Sequence, residues 1–196
     1  MKMADKPYVV AIVGSPRVNG NTSHLVDVAL AELDQRGARC EKIMLGDYRV
    51  LPCEGHDECG DLAACPIDDD ASSLLEKMYA ADGLLLATPV YFEDVSGPMK
   101  MLIDRNCFNN YHEIWLAART VGLIAVADST GVEETIDSLG RFVALVSDRH
   151  VRPLSVHGFA TRVGDAEGNR GLVGAARKMA KQMAGKLFEE KTAGKR

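Results

Sequence analysis

The residues with the densest chemistry lie in Gly14-Ser15-Pro16-Arg17-Val18-Asn19-Gly20-Asn21-Thr22-Ser23, between the apolar run Tyr8–Val13 and a helical pattern opening at about Asn21. Hydroxyls, amides and one guanidinium are concentrated where a helix N-terminus leaves backbone N–H groups unpaired. Such a site attracts an anion through hydrogen bonds and the helix dipole together. The loop lacks the lysine of a Walker A sequence and the G-x-G-x-x-G spacing of a dinucleotide loop, so a monophosphate suits it better than a triphosphate or pyrophosphate. The competing reading is an ordinary strand-to-helix turn with a polar cap.

The elements that must carry this loop alternate. Strand-like runs at Tyr8–Gly14, Arg39–Leu45, Gly83–Thr88, Thr120–Ala127 and His150–His157 are continuous in Val, Ile, Leu and Ala, as strands buried on both faces are. Helical patterns are expected at about 22–36, 71–81, 97–109, 132–147 and 171–190, the first ending at Gly37. Five strands with crossover helices predict an α/β, three-layer, doubly wound parallel sheet. Ligands in such sheets sit beyond the carboxyl ends of the strands, where the Gly14–Ser23 loop falls. Thr88-Pro89-Val90-Tyr91-Phe92 and Ala127-Asp128-Ser129-Thr130-Gly131 reach the same edge, giving an aromatic platform and a polar loop suited to a flat, partly polar ring. Tyr91 and Phe92 also read as core or interface aromatics.

Length and composition bound the answer. The chain has 196 residues, 46% of them hydrophobic, with no Pro- or Ser-rich interruption, which predicts one domain over 1–196 with a cysteine-containing loop at 52–70. A net charge of −5 argues against a nucleic-acid partner. No apolar run approaches the roughly 20 residues that span a bilayer, and no leader is read at the N-terminus, so no membrane partner and a cytoplasmic location are expected. The five cysteines then read as thiols, metal ligands or redox groups.

Five segments carry a family resemblance: Gly14-Ser15-Pro16-Arg17 with Gly20-Asn21-Thr22, Ala81-Asp82-Gly83, Thr88-Pro89-Val90-Tyr91-Phe92, Ser96-Gly97-Pro98-Met99-Lys100, and Leu102-Ile103-Asp104-Arg105. Over about residues 7–160 the chain resembles the NADPH-dependent FMN reductases among the flavodoxin-like proteins. The resemblance implies strand order 2-1-3-4-5. It implies FMN, held at its phosphate by Ser15, Arg17, Asn19, Asn21, Thr22 and Ser23 and beside its ring by Pro89, Val90, Tyr91 and Phe92, with Asp128, Ser129 and Gly131 adjoining. It further implies a homodimer or homotetramer, and an oxidoreductase moving electrons from NAD(P)H or a reduced carrier to a small acceptor such as a quinone. A carrier working with ferredoxin and a thiol-based redox sensor are the alternatives. Because the family tends to have glycines in the third loop, Asp128 is expected either to lower the flavin potential or to turn outward.

An iron–sulfur branch of that family carries C-x2-C-x2-C-x5-C after the second strand. Here the register reads Cys53-x2-His56-x2-Cys59-x5-Cys65, with His in the second position. Three readings stand: a cluster, of the 4Fe-4S type in that branch, with His56 or solvent as fourth ligand; a Cys3His zinc site; or an acidic loop with free thiols or a reversible disulfide. Cys40 is expected in the core, and Cys107 in the core or an interface, without a chemical role.

Overall fold

The computed structural model describes residues 6–193, with side chains through residue 189. Its elements are β1 (Tyr8–Val13), α1 (Asn21–Gln35), β2 (Arg39–Met44), α2 (Ala71–Ala80), β3 (Gly83–Tyr91), β4 (Asp94–Val95), α3 (Gly97–Asp104), α4 (Cys107–Tyr111), β5 (Thr120–Ala127), α5 (Val132–Val146), β6 (Leu154–Phe159), α6 (Asp165–Gly168) and α7 (Arg170–Ala193). The sheet runs β2-β1-β3-β5-β6, and all four of these pairings are parallel. This is the expected order of five parallel strands, with one correction. A sixth strand, β4, folds back antiparallel on the end of β3, pairing Val90 with Val95 and Tyr91 with Asp94. Two residues of strand leave no period to read in a sequence.

Burial follows the sheet order. The interior strand β5 is buried along its whole length, whereas the edge strand β2 is fully buried only over its last two residues and the edge strand β6 alternates with exposed positions. Two apolar layers result. Leu25, Val26, Ala29 and Leu33 of α1 join Met179, Met183 and Leu187 of α7 on one face. On the other, Leu74 and Met78 of α2, Met99 and Leu102 of α3, and Leu139 and Val143 of α5 pack together.

Two expected elements differ for local reasons. The last strand begins at Leu154 instead of His150, because Pro153 brings no N–H to the ladder. The single helix expected at 97–109 is broken. Asn106 Nδ2 donates to the carbonyls of Leu102 at 2.8 Å and Ile103 at 3.2 Å, and Asn106 Oδ1 accepts from the Tyr79 hydroxyl at 2.9 Å. A side chain that takes the last carbonyls competes with continuation of the helix, and the chain resumes as α4 after a turn.

Candidate functional site

The strands end on one edge in a cleft of about 400 Å³, within the range of small-molecule sites. Its walls come from the loop after β1 (Ser15, Arg17, Gly20, Asn21, Thr22), the end of β3 (Pro89 to Phe92), the end of β5 (Val126 to Asp128) and the segment after β6 (Ala160, Thr161). The three expected loops are thereby brought together. The fourth segment went unread in the sequence, although the rule that ligands sit beyond strand ends applies equally to β6.

The phosphate end is built by α1. Gly20 occupies its N-cap position in extended conformation, and no side chain caps the helix. Its first N–H groups therefore stay available to an anion, as they would not under a Ser or Asp cap. Ser15 makes a tight turn with Arg17, its hydroxyl accepting from the Arg17 N–H at 3.1 Å, and Arg17 is exposed at the cleft. The loop is held from below by Ser96. Its backbone N–H donates to Thr88 Oγ1 at 2.9 Å, and its hydroxyl donates to the Gly14 carbonyl at 2.7 Å. A Cβ on Gly14 would meet Ser96 Oγ at 2.7 Å and Met99 Cβ at 2.9 Å, so the approach requires glycine there.

Several side chains named for the phosphate do other work. Asn21 Nδ2 donates to the carbonyls of Ala160 at 3.1 Å and Arg162 at 2.8 Å, while its Oδ1 accepts from Gly164 N at 3.1 Å and Ala166 N at 3.2 Å. Its amide is fully used in clamping the β6–α6 loop, although the residue lines the cleft. Ser23 is 1% exposed and its hydroxyl takes the Lys42 ammonium at 2.7 Å, which turns it beneath the helix instead of toward the cleft. Asn19 is exposed and outside the cleft lining.

At the ring end, Phe92 and Glu93 adopt left-handed backbone (φ 51° and 61°), and Phe92 is fully exposed. Gly131 explains the turn's position. Its φ is +81°, and a Cβ there would stand 2.5 Å from Glu93 Cα, so Gly131 supports the aromatic turn without lining the cleft itself. Ser129 also stays outside, its hydroxyl donating to Asp128 Oδ1 at 2.9 Å. Asp128 does line the cleft, leaving one carboxylate near the ring end and one guanidinium at the other.

The cysteine loop leaves β2 on the same edge, and Gly46 at its start lies against Pro16 of the phosphate loop. It is pinned by a buried ion pair between Arg105 and Asp69. Asp69 also accepts from the N–H groups of Leu51 at 2.7 Å and Ala71 at 3.0 Å. Burial alone would raise the Asp69 carboxyl, but Arg105 and these two N–H groups outweigh it and hold it below the usual carboxylate range. Arg105 Nη2 donates to Cys65 Sγ at 3.2 Å. Burial, with neighbouring Cys53, Cys65 and Glu58, raises the Cys59 thiol. Burial raises Cys107 as well, with Cys53, Asp104 and Cys59 adding to it. Among the described residues, no three His, Cys, Asp or Glu side chains are drawn tightly enough together to hold a single metal ion. The His56 Nε2 stands 3.4 Å from the Glu54 carboxylate. Cys40 is partly buried against the core as expected, and burial followed by Asp34 pushes its thiol up to about 11.

Sheet order and cleft together define a flavodoxin-like protein with a cofactor cleft on the C-terminal edge of its strands. The sequence profile of the NADPH-dependent FMN reductases matches residues 7–157, and the chain belongs to that family. It is 40% identical over 141 residues to iron-sulfur flavoprotein MJ1083 of Methanocaldococcus jannaschii, spanning 71% of this chain and 72% of that protein. It is 32% identical over 133 residues to an iron-sulfur flavoprotein of Methanosarcina thermophila, spanning 67% and 70%. RosB, solved with a bound 8-demethyl-8-formylriboflavin-5'-phosphate intermediate, shares the fold with a TM-score of 0.75 at 14% identity, covering 95% of this chain and 81% of RosB. The apo form of the NADH:FMN oxidoreductase EMOB does so at 0.65 and 20%, covering 95% and 93%.

Proposed function

We propose that this protein is an FMN-dependent oxidoreductase taking electrons from NAD(P)H or a reduced carrier and delivering them to a small acceptor such as a quinone. The observation that carries the reading is the pairing, within one cleft, of an uncapped helix N-terminus and Arg17 at one end with the Pro89–Phe92 segment at the other. The chain's residues fit the cofactor: a phosphate needs donors and one charge, and an isoalloxazine needs an apolar wall with few polar groups.

The residues proposed to hold FMN are Ser15, Arg17, Thr22 and the first N–H groups of α1 at the phosphate, with Pro89 to Phe92 and Asp128 beside the ring. Asn21 acts by holding the β6–α6 loop against α1. When bound, FMN supplies the chemistry, accepting a hydride at N5 and passing electrons on singly or in pairs. The protein then contributes binding, access and electrostatics, and no side-chain nucleophile or acid is required. Exposed Phe92, Tyr111, Ile114 and Trp115 suit burial in a homodimer or homotetramer, which is part of the proposal, as is action in the cytoplasm. No described helix is long and apolar enough to cross a membrane.

A second reading is favoured by the thiols beside α4 and by the likeness to the two iron-sulfur flavoproteins: a carrier in which an iron–sulfur group and FMN exchange electrons with a protein such as ferredoxin. Burial raises the Cys59 thiol, which disfavours that residue as the reactive group of the thiol-sensor alternative, since reactive sensor cysteines are low-pKa groups. Anaerobic stopped-flow mixing with NADPH and with NADH tests the choice. Bleaching of the flavin bands by either supports the oxidoreductase; no bleaching by either, with rapid bleaching by reduced ferredoxin, replaces it with the carrier.

A further inference from the structure

Four cysteines from two distant segments meet beside the cleft edge. Cys53, Cys59 and Cys65 come from the loop after β2, and Cys107 opens α4. Three contacts fasten the segments together. Arg105 Nη2 bonds Cys65 Sγ at 3.2 Å, His112 Nε2 lies 3.0 Å from the Cys59 carbonyl, and Tyr111 stands 3.9 Å from where a Cβ on Gly60 would be. Between them Cys53 and Cys59 lie within electrostatic range of Cys107, and Cys53 and Cys65 within that of Cys59. The break at Asn106 is what turns Cys107 out of line with α3 and toward this loop. His56 is paired instead with Glu54, through the Nε2 that would otherwise be a metal-binding nitrogen.

The donor set chooses among groups. A tetrahedral zinc would draw its sulfurs to about 3.8 Å from one another, given Zn–S bonds of about 2.3 Å. A four-iron cluster binds each thiolate to a different iron, so its ligands stand further apart, and thiolate is the ligand it takes. The Arg105 guanidinium adds positive charge beside an otherwise acidic loop and keeps a second donor, Nε, buried without a protein partner.

We infer that Cys107, and not His56, supplies the fourth thiolate of an iron–sulfur cluster held with Cys53, Cys59 and Cys65. The assignment rests on the iron–sulfur carrier reading given above. Each of the four thiols releases its proton as it binds iron, inorganic sulfide from solution supplies the bridging atoms, and ferric iron supplied together with ferrous iron accounts for the mixed valence of the core.

The test is reconstitution of the full chain under anaerobic conditions with ferrous and ferric iron, sulfide and a thiol reductant. Iron, sulfide, zinc and releasable FMN are then measured per chain, and the dithionite-reduced protein is examined by electron paramagnetic resonance. His56→Ala should keep the wild-type iron-to-FMN ratio and resonance. Cys107→Ser and Cys59→Ser should each lower that ratio at least about twofold, because each removes a thiolate that binds iron directly. FMN content should be unchanged in both, which reports an intact fold. Restoring the second motif position, by His56→Cys in the Cys107→Ser chain, should recover iron. Iron retained in Cys107→Ser, or lost in His56→Ala, overturns the assignment. So does wild-type protein that carries zinc or no metal with full FMN, an outcome that leaves the flavin reading standing; protein that binds no FMN fails the flavin reading instead.

Discussion

Side chains of the phosphate loop divide between binding and building, and two substitutions separate these roles. Arg17 is exposed at the cleft with no ion-pair partner among the described residues, so Arg17→Ala should leave the apoprotein's stability unchanged. FMN affinity should fall by about 10–100-fold, the worth of a lost charge-assisted hydrogen bond of about 1.5–3 kcal/mol, as measured by fluorescence titration. Asn21→Ala should do the reverse first. Losing four hydrogen bonds to the β6–α6 loop should cost about 2 kcal/mol, lowering the apoprotein Tm by about 4–8 °C in a thermal melt. Asp128 borders the ring end of the cleft, where a carboxylate opposes negative charge on the reduced cofactor. Asp128→Asn should raise the midpoint potential of bound FMN by more than about 30 mV, or 1.4 kcal/mol for two electrons, in a dye-coupled titration; a smaller change would show that the carboxylate faces away from the cofactor.

Elements fix these residues, and the loop from β2 to α2 depends on one ion pair. Asp69→Asn leaves Arg105 buried without its carboxylate, which should destabilise the protein by about 3 kcal/mol in urea unfolding. The pH dependence follows from the sign of the shift. Because the folded-state pKa of Asp69 lies below its unfolded value of about 3.9, its stabilisation is full above that pH and is lost as pH falls through the folded value. Wild type should therefore lose stability more steeply below about pH 4 than Asp69→Asn does. Much of this architecture was legible in sequence: β5 spans Thr120–Ala127 as its apolar run indicates, and α1, α2 and α5 begin or end within a residue of their periodic patterns. What was not legible depends on tertiary partners. Asn106 ends a helix because Tyr79 and two carbonyls surround it, and Cys107 acquires neighbours only through that break, with no spacing to announce it. The hydroxyl and amide of Ser23 and Asn21 looked like anion ligands by type, yet Lys42 and the β6–α6 loop occupy them.

Across the whole molecule, one sheet edge carries both the cleft and the thiol-bearing loop, joined where Gly46 touches Pro16. Fully exposed Phe92, beside Tyr91 and on the rim of that cleft, should be covered by a second copy of the chain. Phe92→Glu should shift the protein toward monomer in light scattering at micromolar concentration, whereas an already monomeric wild type would remove this element of the proposal. The bare N-terminus of α1 has a consequence for the free protein. The first backbone N–H groups of α1 lack a capping side chain, so these opening amides should exchange with deuterium rapidly in the apoprotein and slowly once FMN is added. Filling the cleft at 100 times its Kd would add about 2.7 kcal/mol to the stability of the whole fold, making the helix end a gauge of how much of a cell's stock of this protein is loaded.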